Sequence, residues 1–216
     1  MHPPIWIWQQ PEWPHFTWQA ERLAPLVRAC TQVQGRLLGM ADVVDADTEA
    51  RSSLDALLQN ILASSAIEGE TLNVESVRSS LARRLGLSAD GRPNPRSEGY
   101  AELLLDATTN AGQALTLDRL YAWHARLFPD DNFPLLERVR VGQLRGDEPM
   151  QVVSGRLDRP RVHFQAPPRA ELMPALDAFV QWFDRSRSDA GLDPWLRAGI
   201  AHFWFITLHP FEDGNG

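Results

Sequence analysis

The sequence predicts a mostly α-helical protein with one small β-hairpin. Three observations carry that expectation. Apolar residues recur at three- and four-residue spacing through most of the chain. Asn or Asp residues suited to helix capping stand directly before several of these stripes. One stretch, residues 139–164, breaks the period with clustered valines around a glycine-containing turn.

The opening is the exception to helicity. In IWIWQQPEWPHFTW, the alternation from Ile5 to Trp8 and the prolines that follow predict an extended arm. The arm holds Trp6, Trp8, Trp13 and Trp18, half of the eight tryptophans. Burial statistics favour an arm laid over the body with its indoles covered; a partner-docking or dimer surface is the alternative. From Trp18 to Leu38 the positions Leu23, Leu26, Val27, Cys30, Leu37 and Leu38 predict a helix, with Pro25 in its first turn or at a kink. A second helix is expected from about Thr48, capped by Asp47, through Leu54, Leu57, Leu58, Ile61 and Leu62 into SSAIEGE. Asn73 reads as the N-cap of a third, with Val74, Val77, Leu81 and Leu85 in a stripe and Gly86 ending it.

SADGRPNPR, residues 88–96, reads as a linker, and divides the chain into an extension, 1–92, and a domain, 93–216. Helices follow at about 97–111 and 116–127. Val139, Val141, Met150, Val152, Val153, Val162 and Phe164 read as short strands around SGRLDRP. Two helices close the chain. Pro174 limits how early the first becomes regular, and the second starts at Asp193 (N-cap) and Pro194 (first turn). The body of that last helix, WLRAGIAHFWFITL, is apolar nearly all round, which predicts a central buried helix.

Composition narrows the function. A net charge of −7 argues against sequence-blind binding to nucleic acid or an anionic membrane. No apolar run reaches membrane-spanning length and no signal sequence opens the chain, so a cytoplasmic location is expected. Cys30 is the only cysteine, which removes intrachain disulfides and cysteine-based metal clusters. All 21 basic residues are Arg, so lysine-dependent phosphate loops, Schiff bases and lysine nucleophiles are excluded. Any phosphate must be held by Arg, by backbone N–H groups or through a metal.

The chemistry gathers in LHPFEDGNG, Leu208 to Gly216. His209 can be neutral at cytoplasmic pH and accept a proton from a hydroxyl. Asp213 offers a hard oxygen ligand suited to Mg²⁺ on phosphates. Gly214 and Gly216 let the backbone turn N–H groups inward as an anion nest, to which Asn215 adds an amide donor. Base, metal ligand and anion cradle this close together suit transfer of a phosphate-containing group.

HPFEDGNG closely resembles the first eight residues of the Fic-family signature, His-Pro-Phe-x-Asp/Glu-Gly-Asn-Gly, normally followed by Arg-x-x-Arg. GQLRGDEPMQVVSG (142–155) and VHFQAPP (162–168) resemble the family's target-docking hairpin, or flap, and the Trp-rich opening resembles an N-terminal extension of some bacterial members. The resemblance implies an all-α core with a hairpin flap, and transfer of AMP from ATP to a Tyr, Ser or Thr hydroxyl of a target protein docked on 142–168. It makes His209 the general base and Asp213 the Mg²⁺ ligand. Gly214, Asn215 and Gly216 become the phosphate cradle, with Pro210 and Phe211 anchoring the loop. SSAIEG, Ser64 to Gly69, matches the family's inhibitory pattern Ser/Thr-x-x-x-Glu-Gly/Asn. Glu68 would then take the place of the γ-phosphate, with Ser64 four residues away on the same helix face and Gly69 ending the helix. The family's two arginines fall beyond Gly216, so the chain as it stands is expected to be truncated within the signature and to have little or no transferase activity. The alternatives are removal of AMP or use of another nucleotide donor by the same fold, and a non-catalytic nucleotide-binding or interaction module built around the Trp-rich arm. Of the remaining candidates, His202 reads as a core or supporting histidine, His124 and His163 as structural, and Arg145 as a guide for phosphate or target or as a surface ion pair.

Overall fold

The computed structural model describes residues 5–41, 45–67, 69–92, 94–129, 139–156 and 159–215. Among them stand seven α-helices and one two-stranded antiparallel sheet, so the mostly α fold with a single hairpin is the one the residue pattern predicts. The described residues fall into two compact units. One draws on Met1–Trp18, Ala114–Tyr121 and Arg138–Gly216, the other on Gln19–Gln113 and Ala122–Glu137.

In the second unit, α1 is Ala20–Ala41, α2 Ala46–Ile67, α3 Val74–Arg84 and α4 Pro95–Thr109; α5, Leu117–Leu127, gives this unit its C-terminal half. Pro25 lies inside α1, and the helix runs through it. The cap of α2 is Asp45, not Asp47: its carboxylate accepts from the Thr48 N–H at 3.0 Å and from the Thr48 hydroxyl at 2.9 Å. Asn73 caps α3 as expected, accepting from the Ser76 N–H, and Gly86 follows the helix at φ +74°. Leu54, Leu58 and Ile61 of α2, Val77, Leu81 and Ala82 of α3, and Ala101 of α4 form an aliphatic core at i, i+3, i+4 spacing. Gly99 is demanded by close packing, because a β-carbon there would stand 1.8 Å from the Arg126 carbonyl oxygen of α5.

The 88–96 stretch is strapped down rather than loose. Ser79 Oγ donates to the Gly91 carbonyl at 2.8 Å, and Ser76 Oγ accepts from the Asn94 N–H at 3.0 Å. Asn94 then caps α4 through the Ser97 N–H, so that helix starts at Pro95, two residues before the expected point. At the far end of α2 the chain turns through Gly69 at φ +76° and Glu70 reaches α4. One carboxylate oxygen of Glu70 accepts from Tyr100 Oη at 2.7 Å; the other pairs with Arg96. Burial, and then the Glu70 hydrogen bond, push the Tyr100 phenol up to about 12.

The first unit is built differently. Its helices are α6, Arg169–Arg185, and α7, Pro194–Leu208, with strands β1, Gln151–Arg156, and β2, Arg159–Gln165. Here aromatic rings make the core: Trp204 of α7 meets Phe179 at 5.6 Å and Trp182 at 5.3 Å, while Phe205 meets Phe179 at 5.8 Å. The helix α6 is regular from Arg169 through Pro174, so that proline does not delay its start. Asp193 caps α7 through the Trp195 N–H at 2.8 Å with Pro194 in the first turn, as the sequence indicates. The expectation of a buried α7 is corrected: only Trp204, Thr207 and Leu208, near its end, are buried, and Trp195, His202 and Phe203 are exposed. Val139 and Val141 belong to no strand. The hairpin is confined to β1 and β2, and its register slips by one residue between Val152 and Val153, leaving His163 as the extra residue.

Candidate active site

The loop after α7 is held from several sides. Its first residue, His209, is the helix C-cap and adopts a left-handed conformation at φ 47°, ψ 61°, while its N–H still donates to the Phe205 carbonyl at 3.0 Å. Pro210 and Phe211 follow into the core, and the Phe211 ring is 6.2 Å from Phe205 and 6.3 Å from Tyr121. Asn215 closes the loop. Its Oδ1 accepts from the Phe211 N–H at 2.9 Å and its Nδ2 donates to the Phe211 carbonyl at 3.0 Å, so the side chain reproduces a strand-like pair. The amide expected to face phosphate is thereby spent on the loop itself. What Asn215 retains for an anion is its backbone.

Two further residues complete the frame, and neither role was legible beforehand. Arg145, 3% exposed, is neither a surface ion pair nor a guide for a target. Its Nε donates to the His209 carbonyl at 2.8 Å, its N–H to the Pro210 carbonyl at 2.9 Å and its guanidinium also to the Pro167 carbonyl, while its own carbonyl accepts from Arg169 Nε at 3.0 Å. Burial, then the nearby Arg169 charge, lower its hold on the proton. Glu212 sits at the variable position of the motif. Its carboxylate accepts from the backbone N–H groups of Arg140 at 2.9 Å and Gly146 at 3.3 Å, and pairs with Arg140 Nε at 3.3 Å. Arg145 and Glu212 therefore lock residues 140–146, which lead into the hairpin, onto the loop that carries His209. The motif offered a signal only for the loop, because the partners lie more than sixty residues away.

The electrostatics suit a base. His209 is half-buried, and that burial depresses its proton affinity below the ordinary histidine value. Arg145 adds to the depression, while a hydrogen bond with the Ile206 backbone and the Asp213 charge oppose it. The imidazole is thus neutral at pH 7 and keeps a lone pair for a proton. Asp213 is exposed, with one carboxylate oxygen accepting from the Gly214 N–H at 2.7 Å, and Gly214 turns at φ +69°. A single hard carboxylate fits Mg²⁺, which keeps waters and takes phosphate oxygens as ligands. Among the described residues no group of three or more His, Cys, Asp or Glu is gathered for a metal.

Of the other expected site residues, Ser64 and Gly69 stand exposed at the end of α2. Glu68 and Gly216 lie outside the described residues. His202 is exposed rather than a core or supporting residue; His124 is buried against Phe128, with ring centroids 4.9 Å apart; His163 pairs with Ser154 on the exposed hairpin. No described helix is long and apolar enough to cross a membrane.

The helical fold that carries this histidine loop and hairpin recurs among solved structures. It is shared with a Fic family protein from Desulfovibrio desulfuricans, with a TM-score of 0.54 at 23% identity over 94% of this chain and 55% of that one. A Fic-domain signalling protein from Bacteroides thetaiotaomicron matches with a TM-score of 0.59 at 20% identity over 82% of this chain and 64% of that one. The Fic/DOC family model matches residues 114–216, and a domain of unknown function, DUF4172, matches residues 6–87. Over residues 114–216 the chain is thus similar to the Fic/DOC family. Curated relatives named protein adenylyltransferase Fic are 26% identical: over 183 residues in Drosophila mojavensis, 81% of this chain and 33% of that protein, and over 170 residues in Culex quinquefasciatus, 77% and 31%. The chain spans about a third of the length of these relatives.

Proposed function

We propose that this chain carries the nucleotide-handling site of a protein adenylyltransferase that moves AMP from ATP to a Tyr, Ser or Thr hydroxyl of a protein. The observation that carries the reading is His209: a neutral, half-buried imidazole fixed in a left-handed cap at the mouth of a glycine-turned loop. In the reaction His209 takes the proton of the attacking hydroxyl as its oxygen bonds to the α-phosphorus. The bond from that phosphorus to the bridging oxygen breaks, and pyrophosphate leaves. In this reading Gly214, Asn215 and Gly216 would cradle the phosphates through backbone N–H groups, the Gly214 N–H leaving the Asp213 carboxylate to do so. Asp213 is the residue to hold Mg²⁺, which when bound neutralises phosphate charge. The hairpin over 142–168 receives the target.

The reading includes restraint by Glu68. Ser64 and Gly69, at the end of α2, supply the helix face and the turn of the inhibitory pattern. A carboxylate near a triphosphate repels it, so inhibition needs no relay through the fold. Labelled ATP, CTP, GTP and UTP tested against a form of the protein that carries the signature's Arg-x-x-Arg, its Glu68→Gly variant and its His209→Ala variant decide the matter. Label from ATP should transfer to protein, rise strongly in Glu68→Gly and vanish in His209→Ala. Transfer that survives loss of the imidazole sinks the assignment, and label from another nucleotide changes the donor. A Glu68→Gly variant no faster than the parent removes the inhibitory role.

A further inference from the structure

The Trp-rich arm takes no part in the chemistry above, yet its placement bears on it. Residues 5–18 pack within the same unit as the His209 loop and the hairpin. At the start of the arm, the Trp6 ring meets Phe164 of β2 edge-on at 5.9 Å, and the indole N–H of Trp8 donates to the Gln165 carbonyl at 2.6 Å. At its far end, Trp13 and Phe16 stand 6.0 Å and 5.7 Å from Trp204 of α7, and Phe16 stands 5.9 Å from Phe203. Eleven residues therefore join the last residues of β2 to the helix that delivers His209.

The point of attachment matters. Gln165 is the last residue of β2 and pairs with Gln151, the first of β1; the next hydrogen bond, from the Ala166 N–H to the Met150 carbonyl at 2.9 Å, closes the base of the hairpin. Every residue of β1 is exposed, whereas Val162, Phe164 and Gln165 of β2 are half-buried, and Trp6 covers Phe164. A lone two-stranded ribbon is marginal in water, so its pose depends on what grips its base. Arg145 and Glu212 grip the approach to β1, and the arm grips the exit of β2.

We propose that the N-terminal arm is a strap that sets the pose of the hairpin over the His209 loop, a positioning element for the protein substrate. The strap is a statement about this fold, and its kinetic consequence rests on the adenylyltransferase reading. Trp8→Phe removes the indole donor while keeping a ring, and Trp6→Ala removes the edge contact. Hydrogen exchange on the full chain tests both. Each variant should raise exchange at β1 and β2 amides by about fivefold, the scale of one hydrogen bond or ring pair, with α7 amides and the thermal midpoint unchanged. Unchanged hairpin exchange in both variants overturns the strap. So does exchange that rises equally in α7, which marks a general stabiliser. In the Glu68→Gly background, AMP transfer to protein should fall severalfold while the KM for ATP holds; a shifted KM for ATP with unaltered maximal transfer also counts against it. If no form of the protein transfers AMP, the enzymatic reading fails and the exchange result alone judges the strap.

Discussion

The helices α2 and α7 both stop at a residue in the left-handed region, and the two ends are built on opposite principles. At the end of α2 that residue is Gly69, which adopts φ +76° without strain, and its surroundings are exposed up to Ile67 at 82%. At the end of α7 it is His209, whose β-carbon makes φ 47° unfavourable by about 1 kcal/mol. That cost is met by the burial of Pro210 and Phe211, the Asn215 bridge and the Arg145 bond to the His209 carbonyl. Strain is retained where a side chain with chemistry must occupy the turn. Where only a turn is required, glycine suffices.

Four changes test that contrast, beginning with the largest. His209→Gly should abolish AMP transfer, by about 10²- to 10⁴-fold as for loss of a positioned base, and yet unfold at higher denaturant than His209→Ala, by about 1 kcal/mol. Equal stability of the two variants would mean that the cap is unstrained. Arg145→Met leaves the half-buried His209 carbonyl and the buried Pro167 carbonyl without a donor, so chemical denaturation should show a loss of about 1–3 kcal/mol. Gly69→Ala places a β-carbon at positive φ in open space and should lose about 1 kcal/mol, a purely backbone effect. Glu70→Gln should change stability by less than about 1 kcal/mol, since both partners of the Glu70–Arg96 pair are partly exposed.

Acid sharpens the same comparison. The folded state depresses the His209 proton affinity below the ordinary 6.5, so between that value and the lower folded one the unfolded chain binds more protons. Stability should therefore decline as pH falls below 6.5, with no contribution from His209 above it. His209→Gln should flatten that part of the stability profile. The acid limb of the AMP-transfer profile should likewise fall below 6.5, because the base form persists there; a limb above 6.5 contradicts the depression.

Much of the second unit is legible in sequence because its determinants are local. The Leu54, Leu58, Ile61 spacing, the Asn73 cap and the Gly86 stop are all set within one or two helical turns. Local reading fails where two local options compete: Asp45 and Asp47 both suit a cap, and the structure uses Asp45. It fails again at α7, whose apolar composition reads as buried while its first ten residues are exposed or half-buried. Composition records what a helix can bury, not what is packed against it.

The sequence by itself determined the chemical inventory: an imidazole, a carboxylate and two glycines within eight residues, no lysine, and a helix with clear start signals to carry them. Only the tertiary structure decided how that inventory is held. It assigned the Asn215 amide to Phe211, buried Arg145 among carbonyl oxygens, set Glu212 on Arg140 and Gly146, and placed the arm on β2. The physical reason is range. Helix periodicity and capping act across three or four residues. The bonds that tie Arg145 and Glu212 to the loop and its approach join groups more than sixty residues apart, and such partners exist only once the chain has folded.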